Sequence, residues 1–382
     1  MKILAIHQGA ELYGSDRSFA QSIAAFRRAW PDAEIVVRLG GRGPLEQLIG
    51  LHTDQIETTE FWVARKAGIL RGAMMAFPRF LWRLPSILQD MRKNDLVYIN
   101  TVVVLDYLLA SQIAGQHVVL HVREIPPKSI LGWMIRSAVR ASRAGKIFNS
   151  SATAQAYELQ DTERTAIVLN GVQGPHQPAP RVPEAVLKLA LIGRISDWKG
   201  QDLAVEALSC LTADVQSRVH LRIVGSPFEG QEAIEHRLAR TIRDNGLEAQ
   251  VTLVPFSPDV SAEYAWADAV LVPSRRPEPF GRVAIEAMAQ GRAVIAADHG
   301  GLTEIVEHDR SGLRFSPNDA AALAQAISRL VQEPETVARL GMGARARYDD
   351  CFTESAMVRA LIAAISSMTT AKPTLETEAK RL

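Results

Sequence analysis

Cysteine is nearly missing from this chain. Cys210 and Cys351 are the only two in 382 residues, which excludes a disulfide framework. Long apolar runs are missing too. None approaches about 18 residues, so no membrane-spanning helix is expected. The opening stretch Met1-Lys-Ile-Leu-Ala-Ile-His7 is too short for the apolar core of a signal peptide. Neither sign of charge is in excess: 43 Lys+Arg stand against 42 Asp+Glu, so bulk charge gives no reason to expect nucleic acid as a partner. Several motifs are also lacking. Without Gly-x-Gly-x-x-Gly, an NAD or FAD enzyme is disfavoured. There is no P-loop spacing and no Gly-x-Ser-x-Gly elbow. No Asp-x-Asp pair and no His/Cys/Asp cluster has metal-ligand spacing, so no metal and no bound cofactor are expected. What remains is a cytoplasmic α/β protein of two or three domains.

Short apolar runs alternate with helix-like stretches from end to end. Strands are predicted at 2–7, 34–39, 95–100, 117–122, 145–149 and 166–169, then at 187–193, 219–225, 250–255, 268–273 and 292–297. Helical stretches at 15–29, 200–211, 231–245 and 320–332 fall between them. Nearly continuous apolar strands in such alternation predict two doubly wound parallel sheets facing a cleft. Residues 174–183 hold four prolines and break the pattern. The expected organisation is therefore a first domain over 1–173, a linker over 174–186 and a second domain over 187–352. A last helix over 353–368 and a disordered tail over 369–382 complete it. In open parallel sheets ligands sit beyond the carboxyl ends of strands, so residues just after strands carry the most weight.

The segment Glu278-Pro-Phe-Gly-Arg-Val-Ala-Ile-Glu286 follows the strand at 268–273. It reads as a tight loop and a helix start with an acid at each end. Unpaired N–H groups at a helix start suit a diphosphate or a sugar hydroxyl, and Gly281 lets backbone come close. Glu286, one turn inside, is placed to accept ribose hydroxyls. Spacing alone leaves a second reading, in which both acids only complement the helix dipole. After the strand at 187–193 come Arg194 and Lys199, either diphosphate ligands or ordinary surface cations. After the first strand come Gly14 and Ser15, either a phosphate-binding turn or a plain one with Ser15 or Asp16 as N-cap. His121 lies near the end of the strand at 117–122, as a hydrogen-bonding partner of a sugar or as a satisfied histidine on a sheet face. His7 carries less weight, and Asn170-Gly171 reads as a turn.

Taken together these residues resemble a known family. Glu278 to Glu286, continued by Ala287-Met-Ala-Gln-Gly-Arg-Ala-Val-Ile-Ala and Gly300-Gly-Leu-Thr-Glu-Ile-Val-Glu, is similar to the signature of the retaining glycosyltransferases of family 4 (glycosyl transferases group 1), whose fold is GT-B. Gly193-Arg194 with Lys199-Gly200 resembles that family's second marker. The resemblance implies a metal-independent enzyme that moves a sugar from a nucleoside-diphosphate sugar to an acceptor hydroxyl with retention. It implies that Arg194 and Lys199 hold the donor diphosphate and Glu286 the ribose. Glu278, with the backbone of Phe280 and Gly281, would hold sugar hydroxyls. Gly14 and Ser15 would approach the phosphates, and His121 would touch the sugar near the reacting carbon. It also implies that the last helix packs back on the first domain. Two departures stand out: Tyr-Gly-Ser-Asp replaces the usual Gly-Gly-Ala-Glu, and Val122-Arg123 separate His121 from Glu124.

Charge is uneven along the chain. Residues 61–93 carry seven basic groups against Asp90 alone, mixed with Trp62, Phe77, Phe80 and Trp82, and 128–146 carry five basic groups and no acid. Both stretches are expected either to face an anionic membrane surface, with a lipid-linked or saccharide acceptor, or to be a solvated basic face. Pro78 and Pro85 are expected to break any single helical face. Two other functions stay open beside the transferase. One is a sugar-nucleotide epimerase on the same fold, the other a non-catalytic sugar-nucleotide binding module.

Overall fold

The computed structural model describes residues 1–63, 69–115, 117–159, 164–176, 178 and 185–373, with 69–76 as backbone alone. The chain divides into two units, one of Met1–Asn170 with the stretch from Glu354 onward, the other of Gly171–Thr353.

The first unit holds a seven-stranded sheet. Its strands are β1 (Lys2–His7), β2 (Glu34–Leu39), β3 (Gln55–Thr58), β4 (Leu96–Ile99), β5 (Val118–Val122), β6 (Gly145–Phe148) and β7 (Thr165–Ile167). Their order is β3-β2-β1-β4-β5-β6-β7 and every pairing is parallel. The second unit holds β8 (Leu187–Ile192), β9 (Val219–Val224), β10 (Val251–Val254), β11 (Ala269–Val272), β12 (Ala293–Ala297) and β13 (Gly312–Phe315). Their order is β10-β9-β8-β11-β12-β13, again all parallel. Both sheets are doubly wound, as the alternating pattern predicts. Winding reverses between β1 and β4 and between β8 and β11, the places where such sheets open a crevice for ligands.

Period-two alternation explains how one strand serves two cores. Ile3 and Ala5 of β1 join the cluster under the helices Gly14–Ala29 and Glu354–Met368, while Leu4 and Ile6 join the opposite cluster under Ile69–Lys93. The last helix belongs to the first unit. Its Met357, Leu361, Ala364 and Ile365 share a core with Phe19, Ile23 and Phe26, and Arg28 reaches Glu354 at 3.1 Å.

Four expectations need correction. The edge strands β3 and β13 were not foreseen. Gln-Ile-Glu-Thr has a single apolar residue, and Gly-Leu-Arg-Phe is short and opens on glycine. The prolines at 78 and 85 do not divide the helix, which runs unbroken from Ile69 to Lys93. They stand seven residues apart, so both fall on one face, and that face is exposed. Their missing donors fall on that face, while Phe80, Ile87 and Met91 face the core. The crossing to the second unit is at Gly171, ahead of the proline-rich stretch. Prolines keep their carbonyls, and Arg345 Nη1 donates to Pro175 O at 2.8 Å while Tyr348 OH donates to Val172 O at 2.9 Å. Residues 177 and 179–184 of the expected linker lie outside the described residues. Finally, the tail does not start at 369. Ala371 is buried, and the Trp30 indole N–H takes Lys372 O as its acceptor at 2.8 Å. Positions 374–382 lie outside the described residues.

Candidate functional site

In the second unit the site grows from two loops at the winding reversal. Buried β8 ends at Ile192 and continues through Gly193 and Arg194 to Lys199 before the helix Gln201–Ser209. Its neighbour β11 ends at Val272, and Pro273, Pro277 and Pro279 keep the next residues out of a helix until Arg282–Ala289 begins. Parallel pairing of β11 with β8 brings the two loops together. Lys199 Nζ donates to Glu278 Oε1 at 2.6 Å, and Ser274 Oγ donates to the same oxygen at 2.6 Å. His299 Nε2 bonds Ser274 O at 2.7 Å, and Gly301 N donates to Glu278 O at 2.8 Å, so the loop is held from both sides. Glu278 is buried. Burial opposes its charged form, but the Lys199 ammonium, by charge and hydrogen bond, and the Ser274 hydroxyl outweigh that and keep its pKa below the ordinary carboxylate value.

The other expected donor-side residues sit differently. The Arg194 guanidinium stacks on Phe228, 3.3 Å from the ring centroid. Glu286 is an already positioned carboxylate. Tyr264 OH donates to its Oε2 at 2.8 Å, and Arg282 pairs with Oε1 at 3.4 Å. The Phe280 side chain is buried against Phe352, with ring centroids 6.2 Å apart. Gly281 has a structural reason beyond ligand approach. Its φ is +118°, and a Cβ there would meet Leu302 Cδ2 at 2.6 Å.

In the first unit Gly14 opens the helix Gly14–Ala29, and both Gly14 and Ser15 are exposed. The N-cap is Tyr13, not Ser15 or Asp16. Asp16 sits at the third helical position and accepts from Tyr13 N at 2.9 Å, the reciprocal half of a capping pattern. His121 is buried near the end of β5, where sequence reasoning placed it, but it is not a lone satisfied histidine. It belongs to a network at the carboxyl ends of β1, β4 and β5. His7 Nε2 contacts Asp16 Oδ1 at 2.7 Å, and His7 Nδ1 lies 3.2 Å from Asn100 Nδ2. Arg123 donates to Asn100 Oδ1 at 2.7 Å and to Asn170 Oδ1 at 2.6 Å. Tyr98 OH is 2.5 Å from His121 Nδ1. Glu124 accepts from Thr101 Oγ1 at 2.5 Å, and burial pushes its pKa up.

Sequence reading undervalued most of this network. Spacing alone gives His7 little weight, makes Asp16 a cap and Asn170 a turn, and does not single out Tyr98 or Asn100. The signal was available, because His7, Asn100, His121 and Arg123 all stand at or just beyond strand ends.

The family model for glycosyl transferases group 1 matches residues 176–347. The D-inositol 3-phosphate glycosyltransferase of Thermobispora bispora is 32% identical over 196 residues, 48% of this chain and 46% of that protein. The mannosylfructose-phosphate synthase of Agrobacterium fabrum is 31% identical over 190 residues, 49% of this chain and 41% of that protein. The chain spans about half the length of the curated relatives it matches. Among solved structures, Anabaena Alr3699/HepE in complex with UDP and glucose superposes with a TM-score of 0.78 at 27% identity, covering 96% of this chain and 100% of that one.

Proposed function

We propose, from the match of residues 176–347 to the glycosyl transferases group 1 family model and from the two parallel-sheet units of GT-B type, that this chain belongs to that family and moves a sugar from a nucleoside-diphosphate sugar to an acceptor hydroxyl with retention. The observation that carries this reading is the pairing of half-buried Lys199 with the buried Glu278 carboxylate at the winding reversal of the matched unit. The uridine nucleotide in the similar Anabaena structure supports a nucleotide-sugar donor.

The chemistry follows from charge. The bond between the anomeric carbon and the diphosphate oxygen breaks, and negative charge gathers on the leaving phosphate. Lys199 and Arg194, with Arg194 released from Phe228, neutralise that charge in place of a metal ion, and more strongly in the transition state than before it. The acceptor oxygen bonds to the same face of the anomeric carbon, and its proton goes to the departing phosphate oxygen. Glu286 takes the ribose hydroxyls, while Glu278 and the backbone at Phe280 and Gly281 hold the sugar. Gly14 and Ser15 meet the phosphates, and His121 meets the sugar. A thermal-shift panel of UDP, GDP, ADP and their sugars tests the donor. A ligand at 100 times its Kd should stabilise by about 2.7 kcal/mol. Release of nucleoside diphosphate only with an added acceptor then separates a transferase from an epimerase or a silent binder. A panel without any shift rejects all three.

The acceptor in this reading is a saccharide or lipid-linked sugar of a surface polysaccharide or glycolipid, met at the cytoplasmic face of an anionic membrane. Support comes from apolar side chains left in water beside basic ones. Trp82 is 85% exposed on the helix Ile69–Lys93, with Phe77 and Leu81 also exposed, and Ile130 is 80% exposed beside Trp133 and Met134 on Ile130–Ala141. Arg83 is partly engaged, donating to Glu60 O at 2.7 Å, so Arg79 and Trp82 are the better probes. Arg65, Lys66 and the Arg71 side chain lie outside the described residues. Among the described residues no helix is long and apolar enough to cross a membrane. Co-sedimentation with phosphatidylglycerol vesicles at low salt is expected, and R79A/W82A should weaken it about tenfold. No co-sedimentation of the parent protein rejects the membrane.

A further inference from the structure

One arginine dictates where the protons lie in the buried network of the first unit. A guanidinium has donors and no acceptor. Arg123 Nη2 lies 3.3 Å from His121 Nδ1, so that nitrogen must offer its lone pair and the ring proton must sit on Nε2. Tyr98 OH lies 2.5 Å from the same Nδ1, and its one proton has Ser22 Oγ and Asn100 Oδ1, each at 3.1 Å, as further acceptors. The same logic runs the other way. Because Asn100 Oδ1 accepts from Arg123 Nε, the Asn100 amide nitrogen faces His7 and donates to its Nδ1. The His7 proton therefore also sits on Nε2 and goes to Asp16 Oδ1. Of the two ring N–H groups so defined, His7's has its acceptor. The other, on His121 Nε2, is buried and has no partner among the described residues. Buried donors are seldom left so, and one at a strand-end crevice marks the place of a ligand oxygen.

We infer that Arg123 is a positioning residue that holds His121 as a neutral Nε2–H donor, and that its acceptor is an oxygen of the bound nucleotide sugar. The second half rests on the function proposed above. The groups facing the ring are the Arg123 cation and the Tyr98 phenol. Around them stand the His7–Asp16 pair, Asn100 and Glu124. Burial first, and the Arg123 charge second, hold the His121 pKa well below the ordinary imidazole value. Burial keeps the Tyr98 phenol protonated by raising its pKa. His121 thus stays uncharged at acidities where a free imidazole, at about 6.5, takes up a proton.

Nitrogen-15 NMR of the ligand-free full chain tests the first half without any activity. His121 should show the neutral Nε2–H form from about pH 8 down to about pH 5.5, below the free imidazole value. A proton on Nδ1, or titration inside that window, overturns the inference. R123Q removes the Arg123 charge and leaves burial, so it should raise the imidazole pKa part of the way and give kcat an acid limb of about tenfold per pH unit below the new value, with KM for the donor little changed. R123K, still a pure donor, should restore the Nε2–H form. A flat pH profile in R123Q with the wild-type tautomer would remove Arg123 from this role. UDP-glucose, at a concentration that stabilises the protein in the thermal-shift assay, should move the Nε2–H resonance. An unmoved resonance overturns the ligand assignment while leaving the tautomer result and the transferase reading to stand on their own tests.

Discussion

Lys199→Ala is expected to lower kcat with a nucleotide-sugar donor by about 10²–10³-fold, the usual cost of removing one preorganised group that stabilises developing negative charge. Two effects add at this residue. The departing diphosphate loses a cation, and Glu278 loses the ammonium 2.6 Å away that offsets its burial. The second effect is visible without substrate. In the parent protein the Glu278 pKa is lowered on folding. The pair's contribution is therefore fully present above the unfolded carboxylate pKa and is lost as pH falls through the lower folded value. In K199A the remaining carboxylate is buried with Ser274 as its nearest donor, and its pKa rises. The Tm difference between parent and variant should be widest near neutral pH, shrink as pH falls through the variant's raised carboxyl value, and close only below the parent's lowered one. E278Q in the K199A background should recover Tm but not turnover. Near-wild-type turnover of K199A would refute the placement of Lys199 at the diphosphate. A pH-independent Tm gap would refute the electrostatic account of the pair.

What could be read in the sequence was whatever sits next to a strand. One filter singles out Lys199, Arg194, Glu278 and His121 as candidates, because parallel βα units expose the residues after each strand. What could not be read was pairing across long separations. The Lys199–Glu278 bond joins positions 79 apart and exists only because β11 lies beside β8. Spacing alone therefore left Glu278 as either a sugar ligand or a helix-dipole partner. Its nearest charge is in fact a lysine on another loop. Similarly, Arg123 looked like an interruption between His121 and Glu124. Only the alignment of β4 with β5 and β1 shows that its fork reaches Asn100, Asn170 and the His121 ring. The prolines at 78 and 85 misled for a different reason. Proline counts against a helix by its missing donor, but two of them on one wet face leave the buried face intact.

Gly300→Ala should be strongly damaging, although it adds only one methyl group. Gly300 has φ +61°, and a Cβ built on it would lie 2.4 Å from Glu278 O and 2.7 Å from Glu278 N. Both are backbone atoms, so no side-chain rotation relieves the overlap. Left-handed backbone costs an alanine about 1–2 kcal/mol. Pushing the Glu278 peptide away also loses the bond from Gly301 N, net about 1 kcal/mol, and loosens the Lys199 pair. The sum is about 3 kcal/mol, which for a domain of about 150–250 residues lowers Tm by about 6–12 °C. Gly230→Ala is the matched control. Its φ is +79°, but nothing lies within 4 Å of the added carbon, so it carries the backbone strain alone. If Gly300→Ala costs no more than Gly230→Ala, the Gly300–Glu278 contact does not hold the loop. If it costs more and turnover falls with it, the backbone behind Glu278 is part of what places the carboxylate against Lys199.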